Sequence, residues 1–257
     1  MKLILLLLSV CWVSLASWSP VFRNPIHPST PMQWLDPCSC VPNCTNPTPS
    51  PWLEVGNREL TEENLIIWLV DLQYFADEAR NYYELFRNKF VRDVFQVDYK
   101  THKNDWSNLE YNWLPKPPKK LGEPTNRGFL EKLELDQFLK DTKRYLEILA
   151  VGLEQVVWDN RLDEAEGNVH YKKEFSEMFD SNNLLLCEIS GLLNRRKLEP
   201  YPMVNRSIMD QEYRNIESEM HRYVRDWIVF RAYMNVVEYI LDVSSHFYDI
   251  TGAELRK

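Results

Sequence analysis

Few side chains in this 257-residue chain are spaced to do chemistry on a substrate. The five histidines, His27, His102, His170, His221 and His246, are isolated from one another. His221 and His246 fall on one helical segment, but about seven turns apart. There is no Gly-x-Ser-x-Gly elbow, no His-Glu-x-x-His pair and no phosphate-cradling glycine loop. Asp159, Asp163, Glu164 and Glu166 offer the oxygen ligands that a hard cation takes, but the sequence places them in a solvated connection. We expect no catalytic residue, metal or cofactor.

The chemistry that remains is oxidation and glycosylation. Cys38, Cys40, Cys44 and Cys187 follow an N-terminal leader, and an even number of cysteines in an oxidising compartment implies two disulfides. Cys187 lies far from the other three, so one of them is expected to staple the N-terminal segment to it. A Cys38–Cys40 bridge would be strained, leaving Cys38–Cys44 or Cys40–Cys44 as the local pair. A zinc site and a free, buried Cys187 are the alternatives, and no suitably spaced histidines support zinc. Asn43 and Asn205 head acceptor sequons, whereas Asn46 is followed by proline. Asn43 adjoins Cys44, where glycosylation would compete with disulfide formation.

The ends and composition narrow the class. Residues 1–16 combine Lys2, an apolar run and small residues at Ser14 and Ala16, the pattern of a cleaved secretion signal. The apolar run is short for a membrane span. With 38 acidic and 30 basic residues the formal charge is −8, and the cations are scattered, which argues against nucleic acid as a partner. Only seven glycines are present, few for an all-β fold.

Four segments carry the apolar period of helices. Residues 17–59 read as a Pro- and Cys-containing tail, and residues 60–257 as one helical domain. Leu65, Leu69, Leu72, Ala76, Ala79, Tyr83, Phe86 and Phe90 step by four and three over about 61–95, with Thr61 as N-cap. A second helix is expected over about 128–160, a third over 173–194, and a fourth over 207–250. The last carries an apolar stripe from Tyr213 to Tyr248 and would run roughly 60 Å. A connection of about 30 residues between the first two helices is long enough to start the second parallel to the first. The fold expected is all-α: a long-chain four-helix bundle, up-up-down-down, with an extended disulfide-pinned tail.

The run Arg225-Asp226-Trp227-Ile228-Val229-Phe230-Arg231-Ala232-Tyr233 resembles a fourth-helix segment of long-chain helical cytokines of the interleukin-6, ciliary neurotrophic factor and cardiotrophin-like type. The second helix is similar in kind through Arg144-Tyr145-Leu146. Insect Unpaired-type ligands share the architecture and are the nearest alternative. Met220 and Tyr223 depart from the family's Phe and Lys, which contact a leukaemia-inhibitory-factor-type receptor. The resemblance implies a secreted ligand, monomeric before binding, that joins single-pass cytokine-type receptors and activates JAK/STAT signalling. It would meet membranes only through those receptors. Trp68, Asp71, Arg80 and Arg87 on the first helix, and Arg222, Arg225, Asp226 and Arg231 on the fourth, lie off the apolar stripes and are the receptor-binding candidates. A secreted amphipathic-helix lipid carrier is the alternative function. N-terminal sequencing of material secreted from cells is expected to begin at Ser17; a retained Lys2 would overturn the leader assignment.

Overall fold

The computed structural model describes residues 32–38, 61–167 and 170–254. The leader, most of the 17–59 tail, Cys40, Cys44 and Asn43 lie outside the described residues. The described chain is all-helical, with no strand among the described residues.

Helix α1, Glu62–Phe95, begins where the Thr61 hydroxyl accepts a bond from the Asn64 amide at 3.3 Å. It ends where Gln96 turns into the left-handed region at φ 59°. The expected stripe from Leu65 to Phe90 is buried throughout. Helix α2, Tyr99–Asp105, is capped by Asp98, and α3 is the single turn Arg127–Leu130. Helices α4, Leu135–Glu166, and α5, Lys172–Arg195, follow. The short α6, Gln211–Arg214, precedes α7, Glu219–Glu254.

Two helix assignments are corrected. The second long helix is not continuous from 128. Asn126 caps α3 as a separate turn, its side chain accepting from the Phe129 amide at 3.1 Å. Lys132 and Leu133 then bond to carbonyls three residues back, which re-aims the chain before α4 starts at Leu135. At its other end α4 continues to Glu166, so Asp159, Asp163 and Glu164 are helical rather than part of a loop.

The fourth long helix does not start at 207. The buried Arg214 closes residues 206–214 into a loop by donating to the carbonyls of Met209 and Arg206. The Arg222 guanidinium then takes the carbonyls of Ile216 (3.3 Å) and Glu217 (2.8 Å), which a continuous helix would have used for its own amides. At 36 residues, α7 is about 54 Å long.

Helix α1 packs on α5 and α7, and α4 packs on the same two. Numbers rise on one helix as they fall on its neighbour. Across α4 and α5 the contacts pass from Asn160 Oδ1–Tyr171 N (2.7 Å) to Asn182 Nδ2–Leu146 O (3.0 Å) to the Arg196–Asp136 ion pair. Across α4 and α7 they pass from Asn160–Asp226 (3.4 Å) to the Tyr145–Tyr239 and Phe138–Phe247 ring pairs. Across α1 and α5 they pass from Trp68 over Gly191 to Lys89–Glu174. Rings of Phe86, Phe90, Phe175 and Phe230 meet largely edge-to-face in the centre, a geometry that adds attraction beyond area burial.

A 3₁₀ turn at Gln33–Leu35 lies against α5. The Trp34 indole is buried and donates to the Val204 carbonyl at 2.8 Å. Four residues on, Cys38 is joined to Cys187 by a disulfide, with Cα atoms 5.1 Å apart. The bridge closes a loop across a separation of 149 residues. In the chain-entropy view that restricts the unfolded chain by about 4–5 kcal/mol. Non-reducing peptide mapping is expected to recover the Cys38–Cys187 pair. The Cys38→Ser/Cys187→Ser variant is expected to lose about 2–5 kcal/mol of stability by denaturant titration; a free Cys187 thiol in the folded protein would refute the pairing.

Candidate functional site

The charged candidates on the fourth helix divide by depth. Residues 225–230 of α7 are all buried, because α1, α4 and the connection after α2 cover it on all sides. Arg225 is 0% exposed. Its guanidinium meets Asp226 at 2.5 Å and Asp159 of α4 at 2.7 Å, and also donates to the Tyr213 carbonyl at 3.2 Å. Burial alone would lower its pKa, but the two carboxylates more than offset that and hold it above its ordinary value. Arg222 pairs with Asp163 at 3.0 Å, both buried. Gln155 joins Asp159 to Arg214, and Arg206 grips Glu154 through two bonds of 2.6–2.7 Å.

Arg222, Arg225 and Asp226 are therefore not on an outer face, contrary to the sequence expectation. They lock α7 and residues 206–217 onto α4. The acidic group is likewise committed: Asp159 and Asp163 face these arginines, and Glu164 pairs with Lys172. No group of three or more metal-ligating side chains occurs among the described residues.

The next face of α7 is covered by the connection between α2 and α4. Arg231, Asn235, Glu238 and Asp242 stand three or four residues apart, one side of a helix. Arg231 donates to the Trp106 and Leu109 carbonyls, and Asn235 donates to the Lys119 carbonyl at 3.2 Å. Glu238 accepts from Lys119 (2.9 Å) and the Gly122 amide (2.7 Å). Asp242 accepts from the Thr125 amide and hydroxyl, both at 2.8 Å. This ladder, invisible in sequence because its partners lie more than 110 residues away, places Arg231 beneath the connection rather than in solvent.

Trp68 is also corrected from an exposed anchor to a packing residue. It is buried against α5, where a Cβ at Gly191 would sit 3.1 Å from the indole, and the Arg195 guanidinium stacks over it at 5.2 Å. Trp158, also off its stripe, is partly exposed beneath Arg161. Arg80 pairs with Asp77 at the surface, and Arg87 pairs with Glu84 and stacks on Tyr99 at 4.5 Å. Asp71 is partly exposed. The outward side of α1 carries a signal the sequence reading passed over: Val70, Tyr74 and Leu85 are 46%, 59% and 82% exposed. Asn205 is exposed, its side-chain oxygen accepting from the Ser207 amide at 2.9 Å. Met220 is exposed, and the Tyr223 hydroxyl bonds Glu219 at 2.8 Å.

Two buried titratable groups complete the electrostatics. His102 stacks on Phe95 and Trp106, with ring centroids 4.2 and 4.9 Å away, and burial lowers its pKa to about 4. Glu188 on α5 is 8% exposed; burial, then the nearby Asp71 charge, raises its pKa to about 7.

Comparison with protein-family models, with curated proteins and with solved structures finds no match. No described helix is long and apolar enough to cross a membrane.

The Glu188 shift has a signed consequence. The folded state holds this proton more tightly than the unfolded chain does. Its favourable contribution is therefore full below the ordinary carboxyl value of 4.5 and is lost as pH rises towards about 7. Glu188→Gln, which keeps the shape and removes the charge, is expected to gain about 1–3 kcal/mol over wild type at pH 8 and nothing at pH 4. His102 acts in the opposite sense over pH 4–6.5, but it is common to both proteins and cancels in the difference. Denaturant titrations of both proteins across pH 4–8 test this; a pH-independent difference would refute it.

Proposed function

We propose that this chain is a secreted ligand of the long-chain helical cytokine kind. It binds and brings together single-pass receptors, activates JAK/STAT signalling and performs no bond chemistry itself. The observation that carries the reading is the path of the connection after α2. Its bonds to Arg231, Asn235, Glu238 and Asp242 follow α7 for about three turns. A connection that travels along the helices delivers α4 to the end where α1 began. The antiparallel contacts of α4 with α5 and α7, and of α1 with α5, agree with this. These relations support an up-up-down-down bundle whose tail is tied to α5 at Cys187. A simple up-down-up-down bundle has no need of so long a strap.

In this reading the receptor-facing surface lies on α1. The candidates on α7 are consumed inside the protein, whereas Val70, Tyr74 and Leu85 present apolar area to solvent beside Asp71 and Arg80. Aromatic and apolar side chains of this kind anchor interfaces because their burial excludes water over a large area.

The test separates surface from interior. Tyr74→Glu/Leu85→Glu is expected to retain the wild-type melting temperature while weakening cell-surface binding and STAT activation at least tenfold, about 1.4 kcal/mol or more. Arg225→Ala leaves Asp226 and Asp159 buried without their cation and is expected to cost about 3–5 kcal/mol of stability, with secretion reduced accordingly. Full binding and signalling by the folded Tyr74→Glu/Leu85→Glu variant would remove α1 as the contact surface. Failure of every cytokine-type receptor to respond, together with lipid co-purifying with the secreted chain, would move the assignment to a carrier.

A further inference from the structure

The connection that straps α7 also walls a surface cleft of about 570 Å³ with a charge opposite to that of the chain. Three elements supply the wall: α2 through Lys103, the strap through Lys116, Lys119 and Lys120, and α7 through Arg231. Two carboxylates, Glu110 and Glu123, also line it. Internal pairing removes part of this charge. Lys116 holds Glu110 at 3.1 Å, and Lys119 is committed to Glu238 and Asp242 beneath the strap.

Lys103, Lys120 and Arg231 remain, faced by the exposed Glu123 and, at Arg231, by the charge of Glu110. Among the described residues none of the three has an ion-pair partner. Arg231 spends two donors on the Trp106 and Leu109 carbonyls. A guanidinium has five N–H groups, so three remain. Those carbonyls fix its position without neutralising it.

The Lys103 ammonium lies against the turn at Gly122. Gly122 turns at φ +78°, and a Cβ there would lie 2.5 Å from the Lys103 ammonium. The absent side chain lets that ammonium rest against the turn. The Gly122 amide is in turn fixed by Glu238 at 2.7 Å. The cleft therefore presents Arg231, fixed by two carbonyls, together with Lys103 and Lys120, in a chain whose formal charge is −8. A concave wall of one sign concentrates ions of the other.

We infer that this cleft binds a compact tetrahedral oxyanion, a sulfate or phosphate group with several acceptor oxygens, held by Lys103, Lys120 and the remaining donors of Arg231. Convergence of three cations from separate elements suits a tetrahedral group whose oxygens point apart, whereas a lone carboxylate would engage one or two of them. The source is either a sulfated sugar chain, as a secreted protein meets outside cells, or a small free anion. The inference does not depend on the receptor reading, because the cleft lies between the strap and α7, away from the exposed side chains of α1.

The test uses the full secreted chain with a heparin-derived hexasaccharide, its fully desulfated counterpart and inorganic phosphate, measured by isothermal titration calorimetry at fixed salt. Saturable binding of the sulfated hexasaccharide, weakening as salt rises, is expected. Lys103→Ala/Lys120→Ala is expected to lose roughly tenfold or more in affinity at an unchanged melting temperature, since each contact to a charged group is worth a sizeable fraction of that factor. The control Lys173→Ala/Lys197→Ala removes two exposed lysines that do not line the cleft and is expected to bind as wild type. Displacement by excess phosphate, with the same dependence on Lys103 and Lys120, supports the site and assigns it a small anion. Resistance to phosphate supports the site and assigns it the sugar chain. Absence of binding, equal binding of the desulfated saccharide, or equal loss in the control variant overturns the inference.

Discussion

Helix α7 has no open face along its middle turns, and the charged side chains it carries there must be neutralised from within. A buried, unpartnered charge costs several kcal/mol, so each ionic side chain on α7 fixes the position of whatever neutralises it. Arg225 holds Asp159 of α4 and the Tyr213 carbonyl; Arg222 holds Asp163 and the carbonyls of residues 216 and 217. On another side Arg231, Asn235, Glu238 and Asp242 fix the long connection. The register of α7 against α4, the start of α7 and the course of the strap all follow from satisfying one helix.

Such a network contributes more to specificity than to net stability. The attraction between Arg225 and its carboxylates is set against the cost of removing three charges from water, and apolar replacements of equal volume often do as well. Bulk stability comes instead from apolar burial on α1, α4, α5 and α7, where the Phe86, Phe90, Phe175 and Phe230 rings interlock. What the ions add is a penalty for wrong alignments. Sliding α7 by one turn would separate Arg225 from Asp159 and the Tyr213 carbonyl and would strip Glu238 of the Gly122 amide.

Because the interior of α7 is closed, the available surface lies elsewhere, and its two distinct regions differ in kind. The outward side of α1 offers Val70, Tyr74 and Leu85 with few competing cations. The cleft under the strap combines positive charge with apolar walls such as Leu114 and Ile228. The long connection serves both properties: it covers α7 and supplies most of the cleft wall.

Much of the helical content was legible in the sequence because helix formation rests on rules that act within a few residues. The stripe from Leu65 to Phe90 and the Thr61 cap define α1 by local spacing alone, and prolines at 200 and 202 mark the end of α5 region as plainly. Periodicity also separated the buried Leu72 from its partly exposed neighbours Asp71 and Gln73. It could not say how many neighbours a helix has. Arg225 and Asp226 read as an outer face because they lie off a single stripe, but α7 is packed on several sides, and their partners at Asp159 and Asn160 are 66 residues away. Trp68 read as exposed for the same reason, until Gly191 of α5 made room for it. Likewise, three cysteines were equivalent partners for Cys187 in sequence; Cys38 is the one beside it because Trp34, anchored to the Val204 carbonyl, brings that segment against α5. Local rules choose which residues form helices, whereas the pairing of charges, rings and cysteines depends on which distant surfaces meet, and only the packed chain decides that.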